Sequence, residues 1–299
     1  MNTVTCSEEV EDARSSGTAI VALESTVYSH LGLPSPDNER ALIRCLDAIR
    51  DAGAVPAVTA VLDGRLRAGL EEIEYDRILG PANKAAERDL PVAIGQGWGV
   101  GATTVSASLE IAQLAGIDLF ATGGIGGVHR GVELTGDISA DLSAIARHRV
   151  VTVSAGAKSF LDLPRTLEVL ETLGATVVGW ETDVLPAFTA RSTSYPVPYR
   201  IDDLDELVSI ARAQLGFGRG MLVTNPVPVE DALDQDVHDT ALRTALADAE
   251  AMGVVGAAIT PFVLDRIAEA SGGASIPANI SLLVNNTRLA ARIAGALSQ

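Results

Sequence analysis

Lysine is almost missing from this chain: Lys84 and Lys158 stand alone against 20 arginines. Cysteine is as scarce. Cys6 and Cys45 form no disulfide framework and no metal-ligand spacing, which suits a reducing compartment. Aromatic residues make up 4%. No apolar run reaches the roughly 18 residues that a membrane-spanning helix requires. Basic charge is also short: 22 Lys and Arg against 39 Asp and Glu leave a net −17. That field opposes nonspecific binding to nucleic acid or an anionic membrane, but does not forbid a small anionic substrate held by local donors. The opening MNTVTCSEEVEDARSSG lacks the basic and apolar regions of a secretion signal. The expectation is a cytoplasmic protein with a flexible start over 1–18. Without linker, low-complexity tract or repeat, 19–299 reads as a single domain.

What is present is a chain 47% hydrophobic, ample for a large core. Continuous apolar runs at 19–25, 56–63, 91–95, 119–123, 150–155, 176–180 and 221–225 predict strands covered on both faces. Amphipathic segments lie between them. Residues 37–53 and 163–174 each end in a capping glycine, and DDLDELVSIARAQLG, from Asp202, carries acids at its favourable end. Beyond residue 228 the pattern is mostly helical, with Thr260 and Pro261 as an N-cap and first-turn pair. The fold class is α/β, a largely parallel sheet with a helical C-terminal section. Ligands in such folds bind at the carboxyl ends of the strands.

Replacement of lysine by arginine across a genome explains the scarcity of lysine but not the two survivors. A lysine that must act as an amine nucleophile has no arginine substitute, because guanidinium stays protonated. Lys158 follows VVTVSAGA, a strand end of small residues that admits a substrate. Burial there would push its pKa below the ordinary ~10.4, and a free amine beside a sugar carbonyl forms a Schiff base. A lysine tied to a carboxylate at a strand end is the plainer alternative. Lys84, in PANKAAERDLP, reads alone as a helix lysine in solvent.

In FATGGIGGVHRG (120–131), five glycines follow a strand beside His129 and Arg130. Converging N–H groups with basic side chains predict a phosphate loop; an ordinary glycine turn is the alternative. Asp137 and Asp141 in GDISADLS are spaced i, i+4, and on one helix face they would suit a divalent cation completed by water. Otherwise they are a cap and a surface acid. Glu24, in ALEST, is a strand-end carboxylate suited to a general acid with raised pKa, or to a salt bridge. GWGVGA (97–102) has dinucleotide-loop spacing, but the acid that follows, Asp118, precedes its strand instead of ending it, so nicotinamide cofactors are rejected.

Together ALESTVYSH, PAVTAVLDG, KAAERDLP, GATTVSAS, FATGGIGGVHRGVELTGDISADLS, SAGAKSFLDLPRTLEVLETLG, FTARSTSYPVPYR, NPVP, TPFVLDRIAE and ANISLLVNNTRLAARIA resemble the pseudouridine-5′-phosphate glycosidase family, also labelled indigoidine synthase A-like. The resemblance covers about residues 19–297. It implies an α/β/α layered catalytic domain, acting on a C–C bond between C1′ of ribose 5-phosphate and an aromatic ring. It implies Lys158 as the imine-forming lysine, Glu24 as the acid and Lys84 as a second active-site lysine. His129 and Thr122 would hold phosphate, and Asp137 a divalent metal, usually manganese. Ser139, Ala140, Asp141 and Val105 would contact substrate, and Asn279 the nucleobase. A homotrimer is implied as well.

Two stretches depart from the family pattern. SHLGLPSPDN carries an inserted Leu31, and GWGVGATTV carries Trp98 and no asparagine. A lost amide and an added indole suit a larger, flatter ring than uracil. The favoured expectation is therefore a C-glycosynthase joining ribose 5-phosphate to an aromatic, polyketide-type aglycone in antibiotic biosynthesis, with Trp98 in the aglycone site. A pseudouridine-5′-phosphate glycosidase releasing uracil is the alternative. A non-catalytic sugar-phosphate sensor is a third, opposed by retention of both lysines, Glu24 and Asp137.

Overall fold

The computed structural model describes residues 4–254, 256 and 259–299. Among them are eleven strands: β1 (Thr5–Cys6), β2 (Ile20–Leu23), β3 (Val55–Leu62), β4 (Arg65–Ala68), β5 (Asn83–Ala85), β6 (Val100–Thr103), β7 (Leu119–Ala121), β8 (Val151–Ser154), β9 (Thr176–Trp180), β10 (Tyr199–Ile201) and β11 (Met221–Thr224). The α-helices are α1 (Glu8–Ser16), α2 (Asp37–Asp51), α3 (Tyr75–Leu79), α4 (Leu90–Gln96), α5 (Val105–Ala115), α6 (Val132–Thr135), α7 (Ala140–Arg147), α8 (Leu163–Thr172), α9 (Leu204–Gly216), α10 (Gln235–Ala251), α11 (Ile259–Ala270) and α12 (Ser275–Leu297).

Seven strands run parallel in the order β3-β2-β7-β8-β11-β9-β10. Strand β3 serves two sheets. Val55–Val58 pair with β2, whereas Thr59–Leu62 pair antiparallel with β4, and Ala60–Leu62 also with β6. Side chains alternate across the parallel strands, as strand geometry requires. Val21, Leu23, Leu119, Ala121, Met221 and Val223 face a core shared with α2, α9 and α12. Ala22, Phe120 and Leu222 face a second core with α5, α7 and α8. Both faces are thus covered, and the layering is α/β/α as expected.

Register sets the functional edge. Leu23 pairs with Ala121, Ala121 with Val153, and Val153 with Val223. The next residues, Glu24, Thr122, Ser154 and Thr224, therefore come abreast at the carboxyl ends.

Three expectations are corrected. Residues 91–95 are helix α4, not a strand: Pro91 sits in the first turn, Leu90 and Ala93 are buried at helical spacing, and Gly97 caps the end at φ 65°. A five-residue apolar run cannot by itself distinguish strand from buried helix. The N-terminal residues are not flexible throughout: β1 pairs parallel with β4, and α1, capped by Ser7, buries Val10 and Ala13. Thr260 lies inside α11, which spans Ile259–Ala270, and is not its cap. No described helix is long and apolar enough to cross a membrane.

Candidate functional site

A cavity of about 390 Å³ opens at the carboxyl edge. Glu24 and Lys158 line it, along with Gly123, Gly124, Phe188 and Asn279. The loop Thr26–Pro34 closes one side, and α11 with the start of α12 closes another.

Glu24 follows β2 directly. A knot of buried hydroxyls holds the chain there: Ser25 Oγ lies 3.1 Å from Thr103 Oγ1, which lies 2.8 Å from Thr59 Oγ1, whose hydroxyl donates to Ser108 Oγ at 2.8 Å. The Thr122 hydroxyl donates to the Glu24 carboxyl. Burial is the largest influence on that carboxyl and raises its pKa, although the Lys158 charge and the Thr122 hydrogen bond pull it down. Glu24 thus holds its proton more tightly than an ordinary glutamate while facing an accessible cavity.

Lys158 ends a tight turn after β8. Its N–H donates to Ile125 O at 3.2 Å, clipping it to the glycine loop. Gly156, at φ 68°, allows the turn: a Cβ there would meet Pro186 O at 1.9 Å. Lys84 comes from β5, where it pairs with Ala102 of β6. It is solvent-accessible, yet burial around its amine and the Lys158 charge lower its pKa. His129 is likewise held down, by burial first and then by both lysines, with Asp137 opposing. The charges of Lys84, Lys158 and His129 thus act on one another, together with carboxylates of Glu24, Asp137 and Asp141, while only Lys158 of the three lines the cavity.

The glycine loop is built differently from the expectation. The amides of Thr122, Ile125, Gly126, Val128 and His129 are all taken, by Val153 O, Gly156 O, Asp141 Oδ2, Thr166 Oγ1 and Asp137 O. Its glycines serve close packing: a Cβ on Gly126 would meet Ser139 Oγ at 2.3 Å. The amides of Gly123 and Gly124, which line the cavity, take no such bond among the described residues, so that part of the loop still offers N–H donors to an anion.

Asp137 and Asp141 do not share a helix face. Helix α7 starts at Ala140 with Ser139 as its cap, so Asp137 lies outside it. Asp141 is buried and accepts the N–H groups of Ser106 at 3.1 Å and Gly126 at 2.8 Å. Its carboxylate therefore fastens the glycine loop to α5. Ser139 is occupied with capping, and Ala140 is exposed. Thr122 donates its hydroxyl to Glu24. Val105 is buried in the second core.

Trp98 is not in the cavity. It sits before the start of β6, the end remote from Thr103, with its indole N–H donating to Gln96 Oε1 at 2.9 Å. The inserted Leu31, by contrast, lines the cavity.

Some contributors went unrecognised in the sequence. Asn286, buried on α12, donates to Thr122 O at 2.8 Å and accepts from Asn225 at 3.1 Å. Phe188 lines the cavity at φ 60°, a left-handed conformation that costs energy in a bulky residue. In a chain with five phenylalanines it could have been singled out. The structure also leaves Cys45 inert: burial pushes its thiol up to about 11.

A metal at Asp137 is chemically admissible. The carboxylate is partly exposed, with Oδ2 3.9 Å from His129 Nδ1. One carboxylate with substrate oxygens and water suits manganese or magnesium, which keep several waters.

Comparison with known proteins matches residues 9–296 to the family described as indigoidine synthase A like protein. A Hahella chejuensis protein named pseudouridine-5′-phosphate glycosidase is 46% identical over 296 residues, covering 96% of each chain. One of the same name from Myxococcus xanthus is 47% identical over 298 residues, covering 98% of each. Among solved structures, the prealnumycin C-glycosynthase AlnA in complex with ribulose 5-phosphate superposes with a TM-score of 0.90 at 38% identity, covering 100% of this chain and 98% of that one.

Proposed function

The chain belongs to the indigoidine synthase A-like family, and from that membership we propose that it cleaves or forms the C–C bond between C1′ of ribose 5-phosphate and an aromatic ring. The observation that carries the reading is the pairing of Glu24 and Lys158 in one cavity, where the charges of both lysines act on the Glu24 carboxyl. A carbon leaving group has no oxygen to protonate, so the usual two-carboxylate glycosidase route is closed.

In the cleavage direction, Glu24 gives its proton to the ribose ring oxygen as that oxygen leaves C1′. The Lys158 amine bonds to C1′ in its place. Glu24, now ionised, takes a proton from the new secondary ammonium. The nitrogen lone pair then forms a C1′=N bond, and the aromatic carbon departs with its electron pair and accepts the proton from Glu24. Water hydrolyses the imine to ribose 5-phosphate and free Lys158. One carboxyl of raised pKa and one amine thus balance every proton.

In this reading Lys84 and His129 hold the phosphate, and the ring lies in the cavity against Asn279 and Phe188. Manganese, where bound, would be held by Asp137 and would neutralise phosphate charge.

Relatives near 46% identity support pseudouridine 5′-phosphate as substrate, with uracil as product. The glycosynthase reading loses its Trp98 argument. It keeps one observation, that Leu31 lines the cavity and adds apolar surface where the aglycone would lie. Incubation of purified protein with pseudouridine 5′-phosphate and manganese tests the choice. Release of uracil at ordinary turnover rates supports the glycosidase; no release, with borohydride still fixing ribose 5-phosphate to Lys158, supports the synthase. No covalent sugar at all would leave only a sensor. A homotrimer is part of the same proposal, checked by light scattering.

A further inference from the structure

Away from the cavity, Glu87, Glu110 and His148 come together from three elements. Glu87 lies in the short turn after β5, Glu110 on α5, and His148 caps the end of α7. One donor atom from each lies within 4.8 Å of the others. The His148 side chain is 3% exposed, with Nε2 3.2 Å from Glu87 Oε1 and Nδ1 3.4 Å from Glu110 Oε2. Yet Nδ1 is buried without a well-formed hydrogen bond. A buried imidazole nitrogen left so is costly unless something completes it.

We propose that Glu87, Glu110 and His148 form a divalent transition-metal site distinct from Asp137. One imidazole with two carboxylates suits zinc, and also cobalt or manganese. Tetrahedral zinc needs donor atoms about 3.3 Å apart, so the three must draw together modestly. Glu87 and Glu110 are partly exposed, at 22% and 29%, and have room to do so.

Arg147 competes for the same locus. Its guanidinium pairs with Glu87 Oε1, and the same nitrogen lies 3.4 Å from His148 Nε2. A cation already occupies part of this locus. Its side chain is 58% exposed and can swing into solvent when a stronger cation binds. The ion would fix the turn that carries Glu87, three residues beyond Lys84, onto α5 and α7.

The test uses the full chain stripped with chelator, in an Asp137→Asn background, titrated with Co²⁺ and Zn²⁺ alone. The expected result is about one equivalent of Co²⁺ with visible d–d absorption, displaced by Zn²⁺, and a melting temperature raised by Zn²⁺. Glu110→Gln should weaken binding at least tenfold without unfolding the chain, as its side chain is partly exposed, and His148→Gln should abolish it. Arg147→Ala should tighten binding by removing the competing cation. Absence of cobalt absorption in the Asp137→Asn protein, or unchanged affinity in both Glu110→Gln and Arg147→Ala, overturns the site.

Discussion

The carboxylate of Asp141 accepts the backbone N–H of Gly126 at 2.8 Å, and so ties the first turn of α7 to the glycine loop. Its second oxygen takes the N–H of Ser106. A buried carboxylate with two N–H donors is strongly held, and each such hydrogen bond is worth about 1.5–3 kcal/mol. Asp141→Ala leaves both donors unpaired and should cost about 3 kcal/mol or more, read as a lower denaturation midpoint. Asp141→Asn keeps the shape but offers one oxygen for two donors, and should fall between. If Asp141 bound substrate instead, KM would rise while stability stayed put.

Lys158→Arg keeps the positive charge and removes the nucleophile. Turnover should drop by roughly four orders of magnitude or more, with the fold unchanged by circular dichroism. Borohydride with ribose 5-phosphate should then add no mass. Lys84→Arg retains the positive charge that the proposed role toward phosphate requires and should mainly raise KM, a contrast that separates the two lysines by role.

The pKa of Glu24 carries a stability consequence of definite sign. Burial raises it above the ordinary 4.5. Below that value folded and unfolded chains both hold the proton, and the group contributes no difference. As pH rises through 4.5 toward the folded-state pKa, the unfolded chain releases its proton first and the wild type loses stability; above it the deficit is constant. Glu24→Gln, which never ionises, should therefore melt higher than wild type at pH 8 and converge with it near pH 4, while losing activity. A melting difference that shrank with rising pH would refute the assignment.

Much of this was legible in the sequence, for physical reasons. Six of the seven strand runs form strands because a sheet covered on both faces must be continuously apolar, and 91–95 failed because a short buried helix reads identically. Glu24 and Lys158 are legible because each follows the carboxyl end of a strand, and those ends converge. Asp137 and Asp141 do not share the helix face that their spacing predicts, since spacing cannot tell a helix interior from its first turn, and the Gly136 turn before Ser139 starts the helix late. Trp98 was placed in the aglycone site on the strength of loop composition, but the indole folds back on Gln96 at the far end of β6. Trp98→Ala should accordingly leave kcat/KM within about twofold and lower stability by about 1–2 kcal/mol through lost packing.

Asn286 shows what only the tertiary structure reveals. It is fully buried on α12, and no local pattern distinguishes it from Asn285. Its amide nitrogen donates to the Thr122 carbonyl and its oxygen accepts from Asn225, so one side chain bridges the ends of β7 and β11. Thr122 in turn donates to Glu24. Asn286→Ala strands a buried carbonyl and a buried amide at about 1–3 kcal/mol each, and should lower stability by about 3 kcal/mol with an unchanged urea m-value. Asn286→Asp still accepts from Asn225 but cannot donate to Thr122 O, and it adds a buried negative charge near Glu24. That charge raises the Glu24 pKa further. If Asn286 acts through Thr122 and Glu24, the alkaline limb of the activity profile should move to higher pH in Asn286→Asp, whereas a purely structural role would lower the melting temperature and leave the limb where it was.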